Sequence, residues 1–231
     1  MTVTNDKPLA GIRACVFDAY GTLLDFASAA QRCEDVLGKK CEPLTRLWRD
    51  KQLQYTWLRA CQGLHADFWQ VTGEALDFSM ETLAIADPAL RQRLMALYLE
   101  LDPFPEALDV LTRLRKTGMR MAVLSNGSPA MVHAAVKSAG FMPLLDAVIS
   151  VEEAGVFKPH PHTYRLAVDH LGVQADAILY VSSNGWDAYA ASAYGMRVLW
   201  CNRYGQRAER LPGNPDRVAA SLDALPALLG L

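Results

Sequence analysis

From Pro103 onward the chain switches repeatedly between two hydrophobic periods, and no other feature restricts its fold as strongly. Helical spacing of apolar residues over 106–116, 129–139, 162–171 and 186–194 alternates with short apolar runs at 119–124, 147–150, 178–181 and 197–200. Gly118, Gly140, Gly172 and Gly195 each fall between a helix and the next strand or loop, where helix-terminating glycines belong. Alternating helices and strands predict a parallel, doubly wound sheet, because parallel neighbours are joined by crossovers lying on the sheet face.

An earlier strand belongs to the same set. Ile12 to Leu24 reads as a buried strand that runs into Asp18 and then into a tight turn at Gly21. Between this strand and Pro103 the sequence offers helices and no convincing strand. Leu44, Leu47, Trp48, Leu53, Tyr55, Trp57 and Leu58 recur at roughly helical spacing, with Arg46, Arg49, Asp50 and Lys51 between them. Pro43 predicts a helix start near Thr45, and two further helices are expected over 68–83 and 89–101, the latter bounded by Pro88 and Pro103. The expected architecture is α/β: a Rossmann-like core from residues 1–23 and 102–231, with a helical cap subdomain, 24–101, inserted after Asp18. A cap hung there closes over the crevice at the strand ends and excludes water from it. The polar stretch 203–215 reads as a loop before a short C-terminal segment.

Composition removes several classes of function. The chain has 231 residues, 51% hydrophobic and 21% charged, which suits one soluble core with an insertion. Lys and Arg number 23 against 25 Asp and Glu with no long basic run, so no nucleic-acid partner is expected. Residues 1–8 are polar without an apolar targeting core, and no stretch is long enough to span a bilayer, which predicts a cytoplasmic protein without membrane contact. Five scattered cysteines read as free core thiols. His65, His133, His160, His162 and His170 show no metal-ligand spacing, and Trp48, Trp57, Trp69 and Trp200 read as core or interface.

Four polar groups sit at expected strand ends: Asp18-Ala19-Tyr20-Gly21-Thr22, Ser125-Asn126-Gly127-Ser128, Lys158-Pro159 and Ser182-Ser183-Asn184-Gly185-Trp186-Asp187. Any one of them is an ordinary turn sequence. Together they face one crevice, outside the carboxyl ends of the strands, where α/β folds bind ligands. Their order and spacing resemble the haloacid dehalogenase superfamily, with Asp18 as nucleophile, Ser125 as second motif, Lys158 as third and Asp187 as fourth. Most members of that superfamily are magnesium-dependent phosphoryl-transfer enzymes with a second Asp two places after the nucleophile. Here that place holds Tyr20, and Ser182-Ser183-Asn184 stands where Gly-Asp is usual. The first change removes the proton donor for a phosphate-ester leaving group and the second removes a magnesium carboxylate. The variants are similar to the 2-haloacid dehalogenase branch, which carries Asp-x-Tyr-Gly-Thr, Ser-Asn-Gly, Lys-Pro followed by a Tyr (Tyr164 here) and Ser-Ser-Asn-x-x-Asp. Residues 47–49 and 51–59 of the cap resemble that branch too, with Asp50 a departure from the Gln expected there.

The resemblance implies displacement of halide from C2 of a short 2-haloalkanoate by Asp18, followed by hydrolysis of the aspartyl ester with overall inversion. Lys158 would keep Asp18 ionised and oriented. Arg49 and Asn126 would receive the halide between walls formed by Phe68 and Trp186. Spacing alone leaves Arg49 a surface guanidinium. Ser125 and the backbone of the turn at Ala19 and Tyr20 would hold the substrate carboxylate, with Tyr164 also in the binding group. Thr22, Ser182, Asn184 and Asp187 would fix Asp18 and Lys158 and place the water, with Asp187 as its base or its orienter. No metal or cofactor is implied, and a homodimer is. The competing expectations are a magnesium-dependent phosphatase and a non-catalytic binding protein on the same fold.

Overall fold

The computed structural model describes residues 7–231; residues 1–6, which the sequence reading groups with the core, lie outside the described residues. Strand β1 (Ala14–Phe17) is buried at every position, as its unbroken apolar run requires, since strands inside a parallel sheet are covered on both faces. It pairs in parallel with β2 (Arg120–Ser125) on one side and β4 (Ile178–Ser182) on the other. Beyond β2 lies β3 (Ala147–Ser150), and beyond β4 lie β5 (Arg197–Cys201) and β6 (Arg217–Ala219), giving the order β3-β2-β1-β4-β5-β6. The order reverses between β1 and β4. In doubly wound sheets the crevice opens at that reversal, so the segments after these two strands face it together.

The insertion after β1 begins with two single-turn helices, α1 (Ser28–Gln31) and α2 (Glu34–Leu37). The long helix α3 (Cys41–Gln62) follows, then α4 (Phe68–Thr82) and α5 (Pro88–Leu97). Helix α3 starts four residues ahead of the expected Thr45. Pro43 fits inside its first turn, where no backbone N–H is needed, and Cys41 and Leu44 are buried. Helices α4 and α5 begin on side-chain caps: Asp67 accepts from the N–H groups of Trp69 and Gln70, and Asp87 from that of Leu90. α5 ends at Leu97, short of the expected residue 101, because the chain there turns back to the core. The Asp25 N–H donates to the Asp102 carbonyl at 2.8 Å and the Phe104 N–H to the Leu23 carbonyl at 2.9 Å, so the outgoing and returning segments cross side by side.

The core continues with α6 (Ala107–Lys116), α7 (Pro129–Ser138), α8 (Pro161–Leu171), α9 (Gly185–Tyr194) and the terminal turn α10 (Leu225–Leu228). The sequence reading missed β6. It is a three-residue edge strand with no buried position, and so carries no apolar run to announce it. Cys15, Cys33, Cys41 and Cys201 are buried free thiols, but Cys61 is exposed near the end of α3, correcting the expectation of a core position. Among the described residues no helix is long and apolar enough to cross a membrane.

Candidate active site

The sheet sets the position of Asp18. Its N–H continues the β1–β4 ladder by donating to the Val181 carbonyl at 2.9 Å, leaving the carboxylate just past the strand end and almost fully buried. The next residues wrap tightly, with the N–H groups of Thr22, Leu23 and Leu24 all directed at the Ala19 carbonyl. Gly21 has φ +90° within this turn, a conformation glycine adopts at little cost. The wrap returns Thr22 to Asp18: its Oγ1 donates to Oδ2 at 2.9 Å while accepting from the Ser183 N–H at 2.8 Å. Asn184, beyond β4, donates from Nδ2 to the same Oδ2 at 2.9 Å and to the Tyr20 carbonyl at 3.2 Å. Among the described residues, Oδ1 accepts only from Lys158 Nζ, at 3.0 Å. Among the described residues, the N–H groups of Ala19 and Tyr20 make no hydrogen bond within the chain.

Lys158 is buried with both carboxylates around it. Its ammonium donates to Asp18 Oδ1, to Asp187 Oδ2 at 3.2 Å and to Tyr180 Oη at 2.6 Å, using all three of its protons. Its backbone N–H donates to Asn126 Oδ1 at 3.0 Å. Asp187, fully buried on the first turn of α9, also accepts from Tyr164 Oη at 2.7 Å on Oδ1 and from Tyr180 Oη at 2.9 Å on Oδ2. Burial pushes the Asp187 carboxyl above the ordinary carboxylate range. The Lys158 ammonium opposes the shift, the Asp18 charge adds to it, and the two phenol hydroxyls oppose it. Burial, with the facing carboxylates, also holds the phenols of Tyr164 and Tyr180 protonated, so both remain donors.

Above Asp18 lies a small cavity of about 10 Å³, room for roughly one water. Of the expected site residues, Asp18, Tyr20, Arg49, Phe68, Asn126, Lys158, Asn184 and Trp186 line it, together with Leu53, which the sequence reading did not single out. Arg49 reaches down from α3. Its Nη1 donates to Gln52 Oε1 at 2.8 Å, and Nη2 makes long contacts to Asn184 Oδ1 at 3.3 Å and the Tyr20 carbonyl at 3.5 Å. Ser125 and Ser182 are buried beside the cavity, each accepting a backbone N–H two residues ahead, from Gly127 at 3.1 Å and Asn184 at 3.2 Å. Tyr164 does not reach the cavity as a binding residue should: α8 buries it, and its hydroxyl is spent on Asp187. Asp187 and Thr22 likewise stand behind the cavity wall, and Asp50 is exposed and does not line the cavity.

Residues 12–195 match the family described as haloacid dehalogenase-like hydrolase. The chain belongs to that family. Within it, the chain is 43% identical over 199 residues to (S)-2-haloacid dehalogenase 4A of Burkholderia cepacia, covering 86% of each chain. It is 39% identical to haloacetate dehalogenase H-2 of Moraxella sp. strain B, over 95% of this chain and 99% of the other. The fold superposes with a TM-score of 0.89 on the L-2-haloacid dehalogenase of Xanthobacter autotrophicus with chloropropionic acid covalently bound, at 39% identity over 95% of this chain and 98% of that one. These relatives place the chain in the (S)-2-haloacid dehalogenase branch.

Magnesium, which the wider superfamily uses, does not fit the residues of this member. Tyr20 occupies the place of the second acid; its hydroxyl is buried without a partner, and a Cβ at Gly127 would stand 3.0 Å from its ring. The oxygens of Asp187 are already engaged by Lys158, Tyr164 and Tyr180. Among the described residues no group of three His, Cys, Asp or Glu is placed to hold a metal. Four further residues support the site without having been read from the sequence as site residues. Tyr180 lies inside an apolar strand and reads as core. Gln52 and Tyr98, joined at 3.1 Å, brace Arg49 from the cap interior. Arg203 donates to the Thr22 carbonyl at 2.9 Å, pairs with Glu106 at 2.5 Å and lies over the Phe104 ring at 3.9 Å.

Proposed function

We infer that this chain hydrolyses the carbon–halide bond of short 2-haloalkanoates, giving 2-hydroxyalkanoates with inversion at C2. The observation that carries the reading is the state of Asp18: a desolvated carboxylate with two donors on Oδ2 and only the Lys158 ammonium on Oδ1. Oδ1 therefore keeps a lone pair for attack, and the ammonium aims the group. The substrate carboxylate is held by the unpartnered N–H groups of Ala19 and Tyr20 with the Ser125 hydroxyl beside them, which puts C2 against Asp18. Oδ1 attacks C2 from behind the carbon–halogen bond. Halide leaves with the bonding pair toward Arg49, whose Nη2 is only loosely engaged, and toward the Asn126 amide, between Phe68 and Trp186.

Water then attacks the acyl carbon of the Asp18 ester, not C2, so the inverted configuration persists in the product. Thr22 and Asn184 hold the acyl group, and Ser182 holds the backbone of Asn184. Asp187, outside the cavity with both oxygens engaged, is better suited to orienting the system through Lys158 than to touching the water directly. The homodimer remains a proposal supported by an apolar groove of about 780 Å³ bordered by Trp57, Trp186, Tyr194 and Leu211. A cytoplasmic setting is supported by five free cysteines.

The test is halide release from each enantiomer of 2-chloropropionate in EDTA. Release from the (S) enantiomer with (R)-lactate as product is expected, and Asp18→Asn should reduce it to background. Lactate of retained configuration, or no halide from folded protein, overturns the reading. Magnesium-dependent phosphate release from phosphate esters would favour the phosphatase instead.

A further inference from the structure

The steps above give no task to Tyr180, although it is the buried titratable group nearest to their charges. It sits in β4, the strand beside β1, and is fully buried. Its hydroxyl accepts from Lys158 Nζ at 2.6 Å and donates to Asp187 Oδ2 at 2.9 Å. A buried phenol is satisfied by one partner; this one has two, an ammonium and a carboxyl group. Tyr164 supplies an internal comparison, since it donates to Asp187 from α8, on Oδ1, without touching Lys158.

We propose that Tyr180 is a positioning residue for the hydrolytic half of the reaction, its hydroxyl holding Asp187 as the carboxylate and keeping Lys158 in place once Asp18 has become an ester. The proposal rests on the dehalogenase reading. Its physical basis is the change of charge on alkylation. Before the reaction Lys158 has two counter-ions; afterwards Asp18 is neutral, and the ammonium retains Asp187 and the Tyr180 oxygen. The groups facing Asp187 are Lys158, Asp18, Tyr164 and Tyr180. Burial and the Asp18 charge favour its protonated form, while the ammonium and the two hydroxyls favour the ionised one. Removing one hydroxyl raises the pH at which Asp187 protonates and leaves one ammonium proton without an acceptor.

Tyr180→Phe keeps the ring, including its contact with Nζ at 5.3 Å from the centroid, and deletes only the oxygen. With (S)-2-chloropropionate, kcat is expected to fall about tenfold or more, as for one hydrogen bond to a charged group. Because hydrolysis becomes slower than alkylation, KM should fall with kcat, so that kcat/KM changes much less. The ester should accumulate on the intact protein by mass spectrometry, and the acid limb of kcat should move to higher pH. Tyr164→Phe should move that limb in the same direction without disturbing the three acceptors of Lys158. A natively melting Tyr180→Phe with an unmoved acid limb, or with equal losses in kcat and kcat/KM and no trapped ester, overturns the proposal. Carbon-13 NMR titration of Asp187 in labelled protein reads the same effect without turnover: the titration should shift upward in Tyr180→Phe, and an unchanged curve also overturns it. Absence of halide release from the wild type would defeat the dehalogenase reading and leave this titration to judge Tyr180.

Discussion

One buried ammonium serves two buried carboxylates in this protein, and the chemistry of single residues follows from that ratio. Lys158 spends a proton on each of Asp18, Asp187 and Tyr180, and the hydroxyls of Thr22, Tyr164 and Tyr180 with the Asn184 amide supply the remaining donors to the two acids. Replacing it with Met keeps the length of the chain and removes the charge. Breaking a buried ion pair from one side costs about 3–5 kcal/mol, because the remaining charge is left uncompensated. Lys158→Met should therefore lower the urea midpoint by a corresponding amount and abolish halide release, the first read by circular dichroism and the second by a chloride assay. Full activity in the Met variant would mean that Asp18 needs no cation to remain a nucleophile. The neighbouring Tyr20 acts differently, filling space where an acid would otherwise stand, and its unpartnered hydroxyl is a cost that the packing of its ring against Phe68 and Tyr98 offsets.

At the scale of elements, the site depends on turns leaving the sheet more than on the strands themselves. The turn after β1 places Thr22 under Asp18, the turn after β2 lies against the Tyr20 ring, and the start of α9 presents Asn184 and Asp187 from the segment after β4. The second of these contacts has no slack. A Cβ on Gly127 would stand 2.7 Å from Val132 Cγ2 and 3.0 Å from the Tyr20 ring. Gly127→Ala should consequently destabilise the fold by about 1–3 kcal/mol, the usual cost of overpacking, and slow halide release by displacing Tyr20 from the cavity wall. Thermal melting and a steady-state assay check the pair; a variant that melts like the wild type would show that the turn yields easily. α3 contributes in another way, carrying Arg49 on the face that Gln52 and Trp48 bury against Thr72, with Nε2 and Nε1 donating at 2.8 and 2.9 Å.

Across the whole molecule, Glu106 and Arg203 tie the site to both ends of the core. Arg203, just beyond β5, holds the Thr22 carbonyl and Glu106, and Glu106 also accepts from the Leu222 N–H near the C-terminus at 3.4 Å. Burial raises the Glu106 carboxyl, but backbone N–H groups and the Arg203 guanidinium outweigh it and hold the group below the ordinary range. A carboxylate lowered in the folded state contributes stability that is present above its unfolded pKa, ~4.3, and is lost as pH falls through the folded value. Glu106→Gln should thus melt earlier than the wild type at neutral pH, with the difference shrinking as pH drops below about 4. Parallel melting curves at both pH values would remove this pair from the account of acid stability.

What could be read in the chain beforehand divides along physical lines. Alternating periods disclosed the parallel sheet, because burial on both faces demands continuous apolar runs, and the absence of strands over 26–101 disclosed the helical insertion. β6 escaped because an exposed three-residue edge needs no such run. Asp18, Lys158, Asn126 and Asn184 stood out as polar residues at strand ends and do meet around one cavity. Tyr180 and Arg203 did not stand out, the first looking like any core tyrosine of a strand and the second like any loop arginine. Tyr164 was legible as a member of the site but not as a support of Asp187. The sequence by itself determined the alternation of helices and strands from β1 to β5, the presence of a helical insertion after β1 and the kinds of group at each strand end, since hydrophobic period and local turn chemistry act over a few residues. Only the tertiary structure decided which hydroxyl meets which carboxylate, which N–H groups stay free and how little room remains above Asp18. Those depend on side chains far apart in the chain being brought within hydrogen-bond reach, and no local pattern encodes that distance.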